Sequence, residues 1–283
     1  MAVDLLSVTL RALGLVALFQ AVGLAFFLTL FGPELVQLRP ELRRIGRIAS
    51  SAGVLLILLH LALEAPRMAG DFSGLWDAEL QGLAWTSGSG VSALVQAAGL
   101  LGLALSLGQS SRGGARWAAG CGLIAVGGFL LTGHTSAHAL RAVLAPLLAL
   151  HLLVVAFWFG SLLPLLRIIR IESRSVAVRV LQRYSTIAGW LVPLIVLAGL
   201  TMAWMLMGTL GVLRQPYGQL LIAKFAGFML LMLLAAANRW RWVPALAAGL
   251  PASTLRRSVA TEIALLMAVL STTAVLTAYF SPH

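Results

Sequence analysis

The chain has 283 residues, of which 60% are aliphatic, aromatic or sulfur-bearing and only 10% are Asp, Glu, Lys or Arg. A soluble domain carries about 25% charged residues, so this composition excludes a water-facing globule, a disordered segment, a coiled coil and a secreted disulfide scaffold. The formal charge is +11, yet too little polar surface exists for the basic patch that nucleic-acid binding needs, and a polytopic protein in a lipid bilayer, with no nucleic-acid partner, is what remains.

Met1 to Leu10 holds no cation and contains Asp4, and the apolar run continues past Arg11 to Phe31. A cleaved signal needs a positive start, a short apolar core and a small-residue cleavage site, so residues 8–31 are expected to stay as a first span. A span takes about 20 mostly apolar residues. Seven more follow, at 46–65, 89–108, 116–133, 142–166, 186–208, 217–237 and 258–279. Segment 75–86 is too short and too polar to cross, and reads as a surface helix or loop at the membrane interface. The connections are short and no domain boundary is visible. The predicted fold is therefore all-α, a single transmembrane domain over 1–283 built as an eight-helix bundle.

Orientation follows from the cations, which concentrate in cytoplasmic connections. With both termini outside, Arg39, Arg43, Arg44, Arg47, Arg112, Arg116, Arg167, Arg170, Arg174, Arg179, Arg183, Arg239, Arg241, Arg256 and Arg257 all fall inside, fifteen of the twenty Lys and Arg residues. Asp4, Glu64, Asp71, Asp77 and Glu79 fall outside, and the acidic 64–79 connection is expected to attract cations over a range of about 8 Å at physiological salt.

The same topology sends His60, His134, His138, His151 and His283 toward the outer face. Neutral imidazole is the commonest metal ligand and suits copper among others, and a polar side chain inside a bilayer is by default a functional hypothesis. In the stretch TGHTSAH (132–138), His134 and His138 share a helical face if the helix continues, or converge from a loop if Gly133 ends it. His151 lies about 15 Å deeper than Arg141, and His60 about 6 Å below the outer edge. The sharp expectation is a copper site, Cu(I) or Cu(II), drawn from His60, His134, His138 and His151. Against it stands the plain alternative that each imidazole hydrogen-bonds a backbone carbonyl.

Soft thioethers select Cu(I). Met202 and Met205 are three apart in the sixth span, Met229 and Met232 repeat that spacing in the seventh, and Met267 lies midway in the eighth. They outline a thioether path from the outside to the centre, weighed against gap-filling packing. Cys121, the single cysteine, permits no internal disulfide or paired-cysteine metal site and reads as a small buried residue. Lys224 and Glu262 are charges within spans, which is costly in hydrocarbon. Lys224 is expected to snorkel outward and Glu262 to meet Arg239 or Arg257, with gating or structural support as their roles. No phosphate-binding glycine loop and no metalloprotease signature is present, so no enzymatic activity is expected.

Three segments carry a resemblance: HLLVVAFWFGSLLPLL (151–166), RYSTIAGWLVPLIVLAGLTMAW (183–204) and QPYGQLLIAKFAGFMLLMLLAAANRWRWVP (215–244). In order and spacing they resemble the copper-resistance protein D (CopD) family of bacterial inner-membrane proteins. His151, Trp158 and Gly160 match the first motif, and Tyr217, Gly218 and Lys224 the third. The resemblance implies copper homeostasis at the inner membrane, copper movement across the membrane in the direction of uptake, and a periplasmic copper-binding partner of the copper-resistance protein C type; the outer side of the cation-based topology, with both termini, is then the periplasm. Two rivals stand beside copper transport. One is a redox protein holding b-type haem between two histidines, with His60 and His151 as the pair. The other is an accessory subunit that docks a periplasmic copper carrier without a path of its own.

Overall fold

Apolar runs of the predicted length can satisfy their backbone polar groups in hydrocarbon only as helices or closed barrels, and here they are helices. The computed structural model describes residues 2–109, 113–133, 138–207 and 215–279, and among these there is no strand. The elements are α1 (Ala2–Phe31), α2 (Arg39–Ala62), α3 (Glu64–Ala69), α4 (Ala78–Thr86), α5 (Gly88–Gly108), α6 (Gly114–Gly127), α7 (Arg141–Ile171), α8 (Arg174–Met207), α9 (Pro216–Ala237), α10 (Val243–Ala247) and α11 (Ser253–Tyr279). A 3-10 turn, Gly128–Leu131, prolongs α6, and a π-helical turn, Asn238–Trp242, joins α9 to α10. Eight of the described helical segments are long and apolar enough to cross a membrane, and they contain α1, α2, α5, α6, α7, α8, α9 and α11. Helix α7 runs beyond the expected 142–166 and α8 begins well before the expected 186. The reason is that hydropathy stops at the first arginine cluster, whereas arginine is a good helix former and lets the turn continue.

An even number of crossings returns the chain to its starting side, so α11 ends on the face where α1 begins. That side is the N-terminal face; the other holds the arginine clusters and is the arginine-rich face. Helix α1 is the central post. It packs against α2, α5, α6, α7 and α11 and is apolar on all sides, with Leu18, Val22, Leu24, Phe27 and Phe31 buried, as a helix surrounded by protein must be. One close approach makes the α1–α7 crossing possible. A Cβ on Gly23 would overlap the Ala156 carbonyl, and one on Gly160 would overlap the backbone at Gly23. Small residues are what let helices approach in a membrane, where no hydrophobic force draws them together. Gln20 Nε2 seals the crossing by donating to the Gly160 carbonyl at 3.1 Å.

The second half is looser. Helix α8 packs on α7, and α9 packs mainly on α11. Helix α9 is the least enclosed span and α1 the most. The connection after α2 is a small cap rather than an open loop. Asp71 accepts from Ser73 N in a 3-10 turn, Phe72–Leu75, and Asp77 accepts from the N–H groups of Glu79 and Leu80 at the start of α4. Gly70, at φ +86°, ends α3 in the left-handed conformation that glycine adopts without strain. Gln81 Nε2 ties the cap to the Ala62 carbonyl at 3.1 Å. Trp76 is 89% exposed on this cap, as expected of an aromatic anchor at the membrane interface. On the arginine-rich face, Glu34 pairs with Arg183 at 2.6 Å and Arg179 at 3.3 Å, and Glu41 pairs with Arg167 at 3.3 Å.

Candidate functional site

Three of the candidate histidines fall within the described residues, and they occupy three different settings. His60 stands in the last turn of α2 on the N-terminal face. Its Nδ1 is 3.2 Å from Ser7 Oγ of α1, and its Nε2 is 3.7 Å from Glu64 Oε1. Glu64 is shared, because Arg67 NH1 also reaches it at 3.0 Å, and Arg67 Nε lies 3.9 Å from Asp4 Oδ1. Arg11 of α1 acts electrostatically on both Glu64 and His60. Both ring nitrogens of His60 thus have protein partners in a network of alternating charge. The residues that complete it, Ser7, Arg11 and Arg67, were not read as site residues from the sequence. The available signal was the spacing of Ser7 and Arg11, four apart on one face of an otherwise apolar span.

His138 precedes α7, and its Nδ1 accepts the Leu140 N–H at 3.0 Å. Its Nε2 makes no hydrogen bond among the described residues. His134 and His283 lie outside the described residues.

His151 is the deep histidine. It sits ten residues into α7, about 15 Å from the helix start. A Cβ on Gly199 of α8 would lie 3.4 Å from His151 Cε1 and 3.6 Å from Nδ1, so the ring packs against a helix that has no side chain there. Its Nδ1 is buried and makes no well-aligned hydrogen bond, while the backbone at Ile195, one turn before Gly199, interacts with the ring. Lys224 of α9 acts on the ring electrostatically. The depths agree: Gly199 is eight residues, about 12 Å, from the end of α8, and Lys224 is eight residues, about 12 Å, from the start of α9. Lys224 is partly buried at this depth. Among the described contacts, His60 and His151 share no partner.

Met202 is buried on α8, three residues beyond Gly199 and on the same helical face. Met205, one turn further out, is partly buried. On α9, Met229 is exposed while Met232 packs against the core. Met267 is exposed on α11. Cys121 packs against the core with its Sγ beside Gly102 of α5. Among the described residues, no three His, Cys, Asp or Glu side chains converge as a metal site. The acidic connection is also partly committed elsewhere, since Asp71 and Asp77 cap helical turns. At Asp71 the Ser73 hydroxyl and N–H hold the carboxyl below its usual value of 3.8.

Glu262 was expected to meet Arg239 or Arg257, and it does not. It is 3% exposed, and Asn238 Nδ2 donates to its Oε1. The Trp158 side chain faces the same carboxylate as a further neutral donor. Arg239 instead donates to the Ser185 carbonyl. The physical reason is the π-helical turn at Asn238–Trp242, whose wider step brings Asn238 to α11 and carries Arg239 toward α8.

Two family models match the chain. One, described as "Copper resistance protein D-like, N-terminal domain", covers residues 1–142, and the other, "Copper resistance protein D", covers residues 178–276. "Inner membrane protein YebZ" of Escherichia coli (strain K12) is 34% identical over 99 residues, which is 34% of this chain and 34% of that protein. The matched stretch thus spans about a third of that relative's length. No solved structure matches the chain.

Proposed function

The chain belongs to the copper resistance protein D family and is a multi-pass inner-membrane protein of copper resistance; from that premise we propose that it takes copper at its periplasmic side and moves it inward. The N-terminal face is the periplasmic side in this reading, because the arginine clusters lie opposite. The observation that carries the proposal is the His151 ring: a buried Nδ1 with no well-aligned hydrogen bond, packed against α8 at Gly199 near the Ile195 backbone, with the Met202 thioether on the same face of that helix.

Imidazole with a thioether is a donor set that suits Cu(I). An unpartnered nitrogen in a buried place normally costs stability, and a metal ion satisfies it where no protein donor does. His138, with its Nε2 turned away from its own backbone contact, supplies the entrance in this reading. Lys224 opposes a cation at this depth, so copper resides there briefly rather than as a permanent cofactor. His60, held by Ser7 and Glu64, anchors α1 to α2 and is given no copper. A periplasmic copper-binding protein of the copper-resistance protein C type is the partner that delivers to this face.

The test is copper stoichiometry of the purified full chain under reducing conditions. His151→Ala combined with Met202→Leu is expected to lower Cu(I) affinity by at least about tenfold, with helical content unchanged. Equal binding by this variant and the parent would remove the site. Copper flux into liposomes holding the chain alone separates transport from an accessory docking role.

A further inference from the structure

We propose that Glu262 is a proton-exchange site, buried between α7, α8 and α11 and reached from the arginine-rich face. The inference stands apart from copper, and holds for a chain that binds none.

Glu262 lies nine residues into α11, about 13.5 Å from the helix start. Among the described residues it makes no ion pair. Its partners are the neutral Asn238 amide and Trp158 indole. A carboxylate placed to hold a fixed charge is matched by a cation; one matched only by neutral donors is free to exist in two protonation states. Three nearby polar atoms are buried without a hydrogen-bond partner: Asn238 Oδ1, the Tyr184 hydroxyl and Ser258 Oγ.

These idle atoms fit the second state. Ionised, Glu262 accepts from Asn238 Nδ2 and Trp158. Protonated, its new O–H needs an acceptor, and rotation of the Asn238 carboxamide about its last torsion presents Oδ1 in place of Nδ2. The same residues therefore satisfy both forms. Asn238 opens the π-helical turn, and such turns are frequent at functional sites.

The route lies on the same side. Ser258 is one turn nearer the start of α11 and on the same helical face as Glu262. Tyr184 lies ten residues from the start of α8, and Glu262 acts on it electrostatically. Both hydroxyls can donate and accept, and with water bridging them, since neither is hydrogen-bonded within the protein, they carry a proton from the arginine-rich face to the carboxylate, where the O–H bond forms, and return it by the reverse path. From α7 the group facing Glu262 is Trp158, from α8 it is Tyr184, and from the π-helical turn it is Asn238. Helix α1 carries only Asp4 and Arg11, at the N-terminal face, and the lysine of α9, Lys224, acts on His151 instead.

Infrared difference spectroscopy on the reconstituted full chain, titrated with pH, reads this directly. The parent is expected to show a protonated-carboxyl stretch that bleaches as pH rises and that is absent from Glu262→Gln. Asn238→Ala is expected to displace both the frequency and the midpoint of that band. Should Glu262→Gln fail to fold, Glu262→Asp is expected to keep the band at a shifted frequency. Parent and Glu262→Gln spectra that titrate identically, or a band unmoved by both Asn238→Ala and Glu262→Asp, would overturn the proposal.

Discussion

His60 and His151 are the same residue type in spans facing the same side, yet their chemistry differs because their neighbours differ. Ser7 Oγ is hydrogen-bonded to one nitrogen of His60 and Glu64 lies 3.7 Å from the other, whereas the buried Nδ1 of His151 makes no well-aligned hydrogen bond. Substitutions should divide accordingly. Ser7→Ala should cost stability, about 0.5–1.5 kcal/mol for one lost hydrogen bond, measured as a lower unfolding temperature with copper binding intact. Lys224→Met should act oppositely to His151→Ala, tightening Cu(I) binding by removing a cation beside the ring, as read by competition with a chromogenic chelator. That His60, His138 and His151 belong toward one face was an expectation the sequence offered from topology alone. Which of them keeps an open nitrogen was not legible there, because Ser7 is 53 residues from His60 and Gly199 is 48 residues from His151.

At the scale of elements, the α1–α7 crossing is the joint between the two halves of the bundle. Gly160→Leu should force α1 and α7 apart, since the added side chain has no room at Gly23. Overpacking costs about 1–3 kcal/mol or more, and the expected outcome is a broadened or earlier transition in detergent, with Gly120→Leu, at a position where a Cβ meets nothing, as the tolerant control. The cap after α2 has its own pH signature. The Asp71 carboxyl is held below 3.8 by Ser73, so its contribution is full above that value and is lost as pH falls through the lower folded value. Hydrogen exchange at the Ser73 amide should accelerate over that acid range in the parent and be uniformly fast in Asp71→Ala. The positions of the eight spans follow from apolar run lengths, and of the two readings of segment 75–86, surface helix or loop, the structure has a helix, α4, over most of it. The π-helical turn at 238–242 was not legible, since the width of one helical step is decided by what packs beside it. That single step replaced the expected arginine partner of Glu262 with Asn238.

At the scale of the whole molecule, the orientation can be tested by labelling. On a Cys121→Ser background, a cysteine at exposed Ala78 should react with an impermeant maleimide in intact cells, and one at exposed Ser253 should react only after permeabilisation. The reverse pattern would invert the bundle and, with it, the direction assigned to copper. The sequence by itself determined the solvent, the number of crossings and the separation of arginines from histidines. Each of these depends on local composition, and the bilayer reads composition residue by residue. Only the tertiary structure decided which polar side chains meet. Ser7 with His60, Gly199 with His151 and Asn238 with Glu262 are contacts between spans, set by where small residues let helices close together, and no local pattern encodes that register.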